Sequence, residues 1–236
     1  MCFSKEFSFF HFGLLAGYAA YLQMYSKEKD IWKIYIPLFY FGLKDLLQGF
    51  LYIFDKVEIY KYYLSVLSYV HICFQPLLAN IFLSYFSKSF ILFNTIIYWN
   101  FVFGITFLFG LYQLTNLDVF DIFKEAPYCK DKWADFCSDK NGSYIGKYHV
   151  AYKFRTKYKY SPLFYLFMFV PALFTNSYIL SFFAVILSGL VVFIFFQKIR
   201  GGEQAAIWCL LNIIFFLPVA FYRKEIVEFI ETIKIY

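Results

Sequence analysis

Long apolar windows recur along this chain and leave it few folds. Seven windows of 17 or more mostly apolar residues fall near 8–25, 34–54, 62–86, 90–114, 161–177, 179–197 and 204–222. A helix of about 20 such residues crosses the hydrocarbon of a bilayer. Asn176-Ser177-Tyr178 alone parts the fifth window from the sixth, and Pro162 and Pro171 interrupt the fifth, so six spans are the alternative count. The chain is 61% hydrophobic and 16% charged, whereas soluble domains carry about 25% charge. It has too little polar surface to cover a globule in water. The expected fold is all-α: a polytopic transmembrane bundle of seven helices, one domain over residues 1–236, with the lipid bilayer as its first partner. The first apolar window has no small-residue cleavage site after it, so it reads as a retained helix rather than a signal peptide.

The one long connection, 115–160, reads as an extramembrane cap. It holds nine of the 22 basic residues together with Cys129 and Cys137, whose spacing suits a loop-stapling disulfide. Asn141-Gly142-Ser143 in the same loop is a glycosylation sequon. Without that loop, the N-terminal side carries five basic residues and the opposite side seven. That small difference leans the N-terminus and the cap to the outside or a lumen, where a Cys129–Cys137 disulfide would persist; the nine basic residues of the loop, if counted, argue the opposite way. The basic residues form no stripe of the kind that nucleic acid binding needs.

Polar residues inside the windows carry the chemistry. Lys44, Asp45 and Gln48 sit at the centre of the second window, where each charge costs about 2.5–3.5 kcal/mol on insertion scales. Asp45, Gln48 and Tyr52 share one helical stripe, and Ser68, His71 and Gln75 share another on the third window. With the connecting turn centred near Glu58, Asp45 and His71 stand thirteen residues from it on either side, which predicts an Asp45–His71 hydrogen bond near the midplane. Pro76 removes an N–H and predicts a kink beside His71, and Asn80 continues the polar content beyond it. Gln204, Trp208 and Asn212 form a third seam after Glu203. Set against this, amide side chains often only join helices, at about 0.6 kcal/mol each. Gln48, Gln75, Asn80 and Asn212 lean to that role, whereas Asp45 and His71 lean to function. Lys44 can snorkel. His11 and His149 read as incidental, Trp208 as packing or anchoring, and Cys73 as a small hydrophobe.

As a set, these motifs resemble an uncharacterised family of polytopic membrane proteins. The residues that carry the likeness are Asp45-x-x-Gln48, Tyr69-x-His71-Ile-x-Phe74-Gln75-Pro76 with Asn80, Tyr148-His149-x-Ala-Tyr152, and Glu203-x-x-Ala-x-Trp208-Cys209. The His-x-x-Phe-Gln-Pro core is the most specific part, and the likeness covers roughly residues 40–215. It implies a shared fold and a larger part for His149 and Glu203 than their positions argue. It implies no activity.

Several chemistries are excluded. The window 204–222 holds no lysine for a retinal Schiff base, and the three histidines of the chain include none there for a zinc-dependent seven-span hydrolase. Neither Cys-x-x-Cys nor a phosphate-binding glycine loop occurs, so no cofactor and no metal are expected. Three readings stay open. The first is a site for a small molecule, ion or proton, bound or transported, built from Asp45, Gln48, His71, Gln75 and Asn80 with Glu203 and Trp208. The second is a structural or assembly subunit among partner membrane proteins. The third is a lipid-modifying enzyme with Asp45 and His71 as its acid–base pair.

Overall fold

The computed structural model of the chain describes residues 4–87, 95–117, 142–145, 150–153, 167–171, 180 and 215–233. Four helices come first: α1 (Lys5–Tyr25), α2 (Trp32–Ile53), α3 (Glu58–Phe86) and α4 (Thr95–Asn116). They coincide with the first four apolar windows and extend most of them by a turn or less. Ser4 caps α1, its Oγ accepting from the Phe7 N–H at 3.3 Å, which occupies one of the first-turn donors a helix leaves open. Asp30, at φ 63°, turns the chain into α2. The second turn is only Phe54 to Val57, so α2 and α3 are antiparallel neighbours. α3 runs without a break through Pro76.

Consecutive helices pack on one another, and glycines set how closely. A Cβ on Gly49 would lie 2.8 Å from the Phe9 ring, and one on Gly110 would lie 2.7 Å from the Phe74 ring and 2.9 Å from the Cys73 carbonyl. Small residues at such crossings let helix backbones approach. The main apolar core joins Leu15 and Leu22 of α1, Ile34, Leu38 and Phe41 of α2 and Phe82 and Phe86 of α3 with Phe216. Residues 215–221 are helical and lead into α5 (Arg223–Ile233).

The long connection departs from the all-α expectation. Within it β1 (Gly142–Ile145) and β2 (Val150–Lys153) form an antiparallel hairpin, pairing Gly142 with Lys153 and Ile145 with Val150. β1 packs on α3, and Val150 is buried with Leu51, Tyr69, Cys73 and Leu117. Alternating residues such as Tyr144 and Val150-Ala-Tyr152 suit a strand; the sequence reading saw only the absence of long apolar runs. The hairpin therefore covers the end of the bundle where α2 and α4 finish and α3 begins. The turn 26–31, the end of α3 and the start of α5 lie at the other end.

By length and composition, α3 and α4 qualify as membrane spans among the described residues. The expected fifth, sixth and seventh spans fall largely outside those residues.

Candidate functional site: a polar core inside an apolar exterior

Beside its apolar core the bundle buries a set of polar side chains, while large apolar side chains are exposed on its outer faces. On α4, Thr106, Gln113 and Asn116 are buried while Ile96 (71% exposed), Ile97, Phe101 and Leu108 (64%) face outward. On α2 and α3, Lys44, Asp45, Gln48, Ser65, Ser68, His71, Gln75 and Asn80 are all at most 5% exposed. Exposed apolar residues scattered singly are ordinary, but a whole helix face is a contact surface.

The structure corrects the predicted pairing of Asp45 with His71. Asp45 Oδ2 lies 2.7 Å from Nδ1 of His11 on α1, and both side chains are buried. Two facts of local structure explain this. The α2–α3 turn is centred midway between Ile53 and Glu58, about two and a half residues earlier than the sequence reading placed it, so His71 is level with Tyr40 rather than Asp45. Gly42, Asp45 and Gly49 also share one stripe of α2, and the glycines bring α1 against it. His11, read from sequence as incidental, is thus a member of the core. The flanking glycines were the signal that Asp45 would meet a neighbouring helix.

His71 has a different partner. The Tyr40 ring stacks on its imidazole at 4.1 Å and 13°, and the Tyr40 hydroxyl donates to the His71 carbonyl at 2.6 Å. Lys44 does not snorkel: it is 2% exposed. Asn80 ties α3 to residues 167–171, its Nδ2 donating to the Pro76 carbonyl at 2.9 Å and the Met168 carbonyl at 2.7 Å, while its Oδ1 has no partner. Tyr69 joins α3 and α4, donating to the Gln113 carbonyl at 3.0 Å.

Nine buried polar atoms have no hydrogen-bond partner among the described residues. Five of them lie on the facing helices α2 and α3 between residues 48 and 71: Nε2 and Oε1 of Gln48, Oγ of Ser65 and Ser68, and Nε2 of His71; the others are single atoms of Asn80, Ser87, Trp99 and Gln113. Buried polar atoms in native proteins are nearly always paired, and exceptions mark water, ions or ligands. These atoms leave donors and acceptors along the α2–α3 seam, and the Asp45–His11 pair lies on the same α2 stripe as Gln48. No group of three or more His, Cys, Asp or Glu side chains suited to a metal occurs among the described residues. Cys73 is a free, buried thiol. Glu203, Trp208, Asn212, His149, Cys129, Cys137 and Asn141 lie outside the described residues.

A second polar assembly, unforeseen from the sequence, fastens the opposite end. Glu28 accepts from Arg223 Nη2 at 2.6 Å, Arg223 Nε at 3.0 Å and the Tyr85 hydroxyl at 2.7 Å. Arg223 Nη1 also donates to Tyr18 Oη and the Ala220 carbonyl. Burial alone would raise the Glu28 carboxyl, but Arg223, Tyr85 and Lys224 outweigh it and hold the carboxyl down at about 2. The contact spans 195 residues of sequence, so no local pattern announced it.

These features define a class: a helical bundle that buries a set of polar side chains beside its apolar core and exposes apolar faces. The chain belongs to the family of unknown function DUF5765, which matches residues 10–227. A family of unknown function agrees with the expectation of an uncharacterised domain over most of the chain. No curated protein and no solved structure matches the chain.

Proposed function

We propose that this is a polytopic membrane protein whose core, between α1, α2 and α3, binds and passes a small hydrogen-bonding solute or proton. The single observation that carries this is the unpartnered set on Gln48, Ser65, Ser68 and His71 inside a bundle that turns apolar faces outward. In hydrocarbon nothing outside the protein can satisfy such atoms. A role confined to joining helices would leave them bonded, as the Tyr69 hydroxyl is. The glue reading fits Tyr69 better than Gln48, neither of whose amide atoms is bonded.

The count of seven spans has support from the contacts of the two bundle ends. α1 starts at the hairpin end, where Phe9 meets Gly49 and Phe50, whereas Arg223 binds Glu28 at the other. Four helices bring the chain back to the hairpin end at Leu117, where Val150 packs. Reaching Arg223 from there takes an odd number of crossings. This arrangement supports an odd total, and seven suits the remaining length better than five.

The test is ligand-dependent melting of the purified protein against ions and small polar metabolites across pH, with wild type beside Gln48→Leu and His71→Ala. A compound or proton-dependent shift in wild type that both variants lose while folded supports the reading. Variants that melt early, with no shift from any compound or pH in wild type, would sink it.

A further inference from the structure

At the end opposite the hairpin, an open pocket of about 440 Å³ lies between the last turn of α1, the turn after it and the first turn of α5. Tyr21, Tyr25, Ser26 and Lys27 form one wall, and Arg223 and Lys224 the other, with Glu28 between them. Three cations thus stand against one carboxylate. That carboxylate is already committed, since both Glu28 oxygens accept from Arg223 and one also from Tyr85. Lys224 reaches Glu28 only at 3.5 Å and is 67% exposed, and Lys27 is exposed beside it. Positive charge is left over in a concave place.

A second observation points the same way. Arg223 and Lys224 stand side by side where helical residues 215–221 lead into α5, so two cations fall together on this wall. Glu28 balances one of them from across the pocket, and Glu225 does not line it. Around the mouth stand exposed aromatics: Tyr21, Tyr25, Phe221 and Tyr222. Amphipathic rings gather at the membrane–water boundary, and basic pockets between helices at that depth hold anionic head groups.

We propose that this pocket is a binding site for a phosphate-bearing anion, held by Lys27 and Lys224 over the Glu28–Arg223 pair. The phosphate comes from an anionic lipid head group or from free phosphate, and the lipid source rests on the membrane reading above. The polar core plays no part in it.

The experiment is a melting titration of the full chain in neutral detergent with phosphatidylglycerol, phosphatidylcholine or inorganic phosphate. It compares wild type, the double variant Lys27→Gln/Lys224→Gln, and Gln48→Leu. Both lysines are exposed, so the double variant folds. Phosphatidylglycerol should raise the wild-type and Gln48→Leu midpoints, and the double variant should bind it on the order of tenfold more weakly. An equal response to inorganic phosphate, lost in the double variant, assigns the site to free phosphate. Equal shifts with phosphatidylcholine, an undiminished shift in the double variant, or no shift with either anion would overturn the site. A chain that stays soluble and folded without detergent overturns the lipid source and the membrane reading together, and loss of the lipid shift alone leaves that reading standing.

Discussion

His11 on α1 and Asp45 on α2 form a buried hydrogen-bonded pair, 2.7 Å from Nδ1 to Oδ2. Removing one member of such a pair strands the other, at a cost of about 3–5 kcal/mol. His11→Ala should therefore destabilise the bundle more than an ordinary surface change does. The double variant His11→Ala/Asp45→Leu, which strands no charge, should recover much of that loss. A double-mutant cycle of melting midpoints checks this, and additive losses would show that the two residues do not act as a pair.

The Glu28–Arg223 pair predicts a pH dependence whose sign is set by the carboxyl held down at about 2. A carboxyl depressed in the folded state contributes stability that is complete above its unfolded value, about 4.3. That contribution fades as pH falls toward 2. The melting midpoint of wild type should drop across this window. Glu28→Gln should melt lower at neutral pH and lose part of the acid-side slope. An unchanged slope in Glu28→Gln would place the acid sensitivity elsewhere.

The glycines of the crossings separate packing from helix propensity. An alanine methyl at Gly110 would meet the Phe74 ring at 2.7 Å and a backbone carbonyl at 2.9 Å, while one at Gly104 would meet nothing within 4 Å. Gly110→Ala should cost about 1–3 kcal/mol by overpacking. Gly104→Ala, on the same helix, should be neutral or gain up to about 1 kcal/mol. Similar midpoints for the two variants would contradict the α3–α4 crossing.

The proposed seven spans would put the two termini on opposite faces. Reporters active on only one side of a membrane, fused at Met1 and after Tyr236, should give opposite signals. The basic residues of the 26–33 turn and of Arg223-Lys224 favour the cytoplasmic side for the C-terminus. Matching signals from both ends would leave an even number of crossings, and the odd count would fall.

Much of the bundle was legible in the sequence because apolar windows and helices report the same constraint. The first four windows fall on α1 to α4, and Lys44, Asp45, Gln48, Ser68, His71, Gln75 and Asn80 within them are buried. The partner of Asp45 was not legible, since a shift of about two and a half residues in the turn centre re-pairs every level of α2 and α3. Gly42 and Gly49 held the missing information, as they fix which helix comes closest. The Glu28–Arg223 contact lies beyond any local rule, and the hairpin at 142–153 is too short to stand out from a polar loop.

Gln48 gives the sharpest contrast between a binding core and mere adhesion between helices. Its side chain is fully buried, with neither amide atom bonded. An unsatisfied buried polar group costs about 1–3 kcal/mol, so an apolar replacement of similar size relieves a penalty instead of breaking a contact. Gln48→Leu should melt at or above wild type in the absence of any added solute. It should also lose whatever solute-dependent shift or proton movement the wild type shows in liposomes carrying a trapped pH dye. Stability gained with activity lost is the pattern of a group kept for its guest. If Gln48→Leu melts well below wild type instead, the amide holds the helices together and the core is not a site.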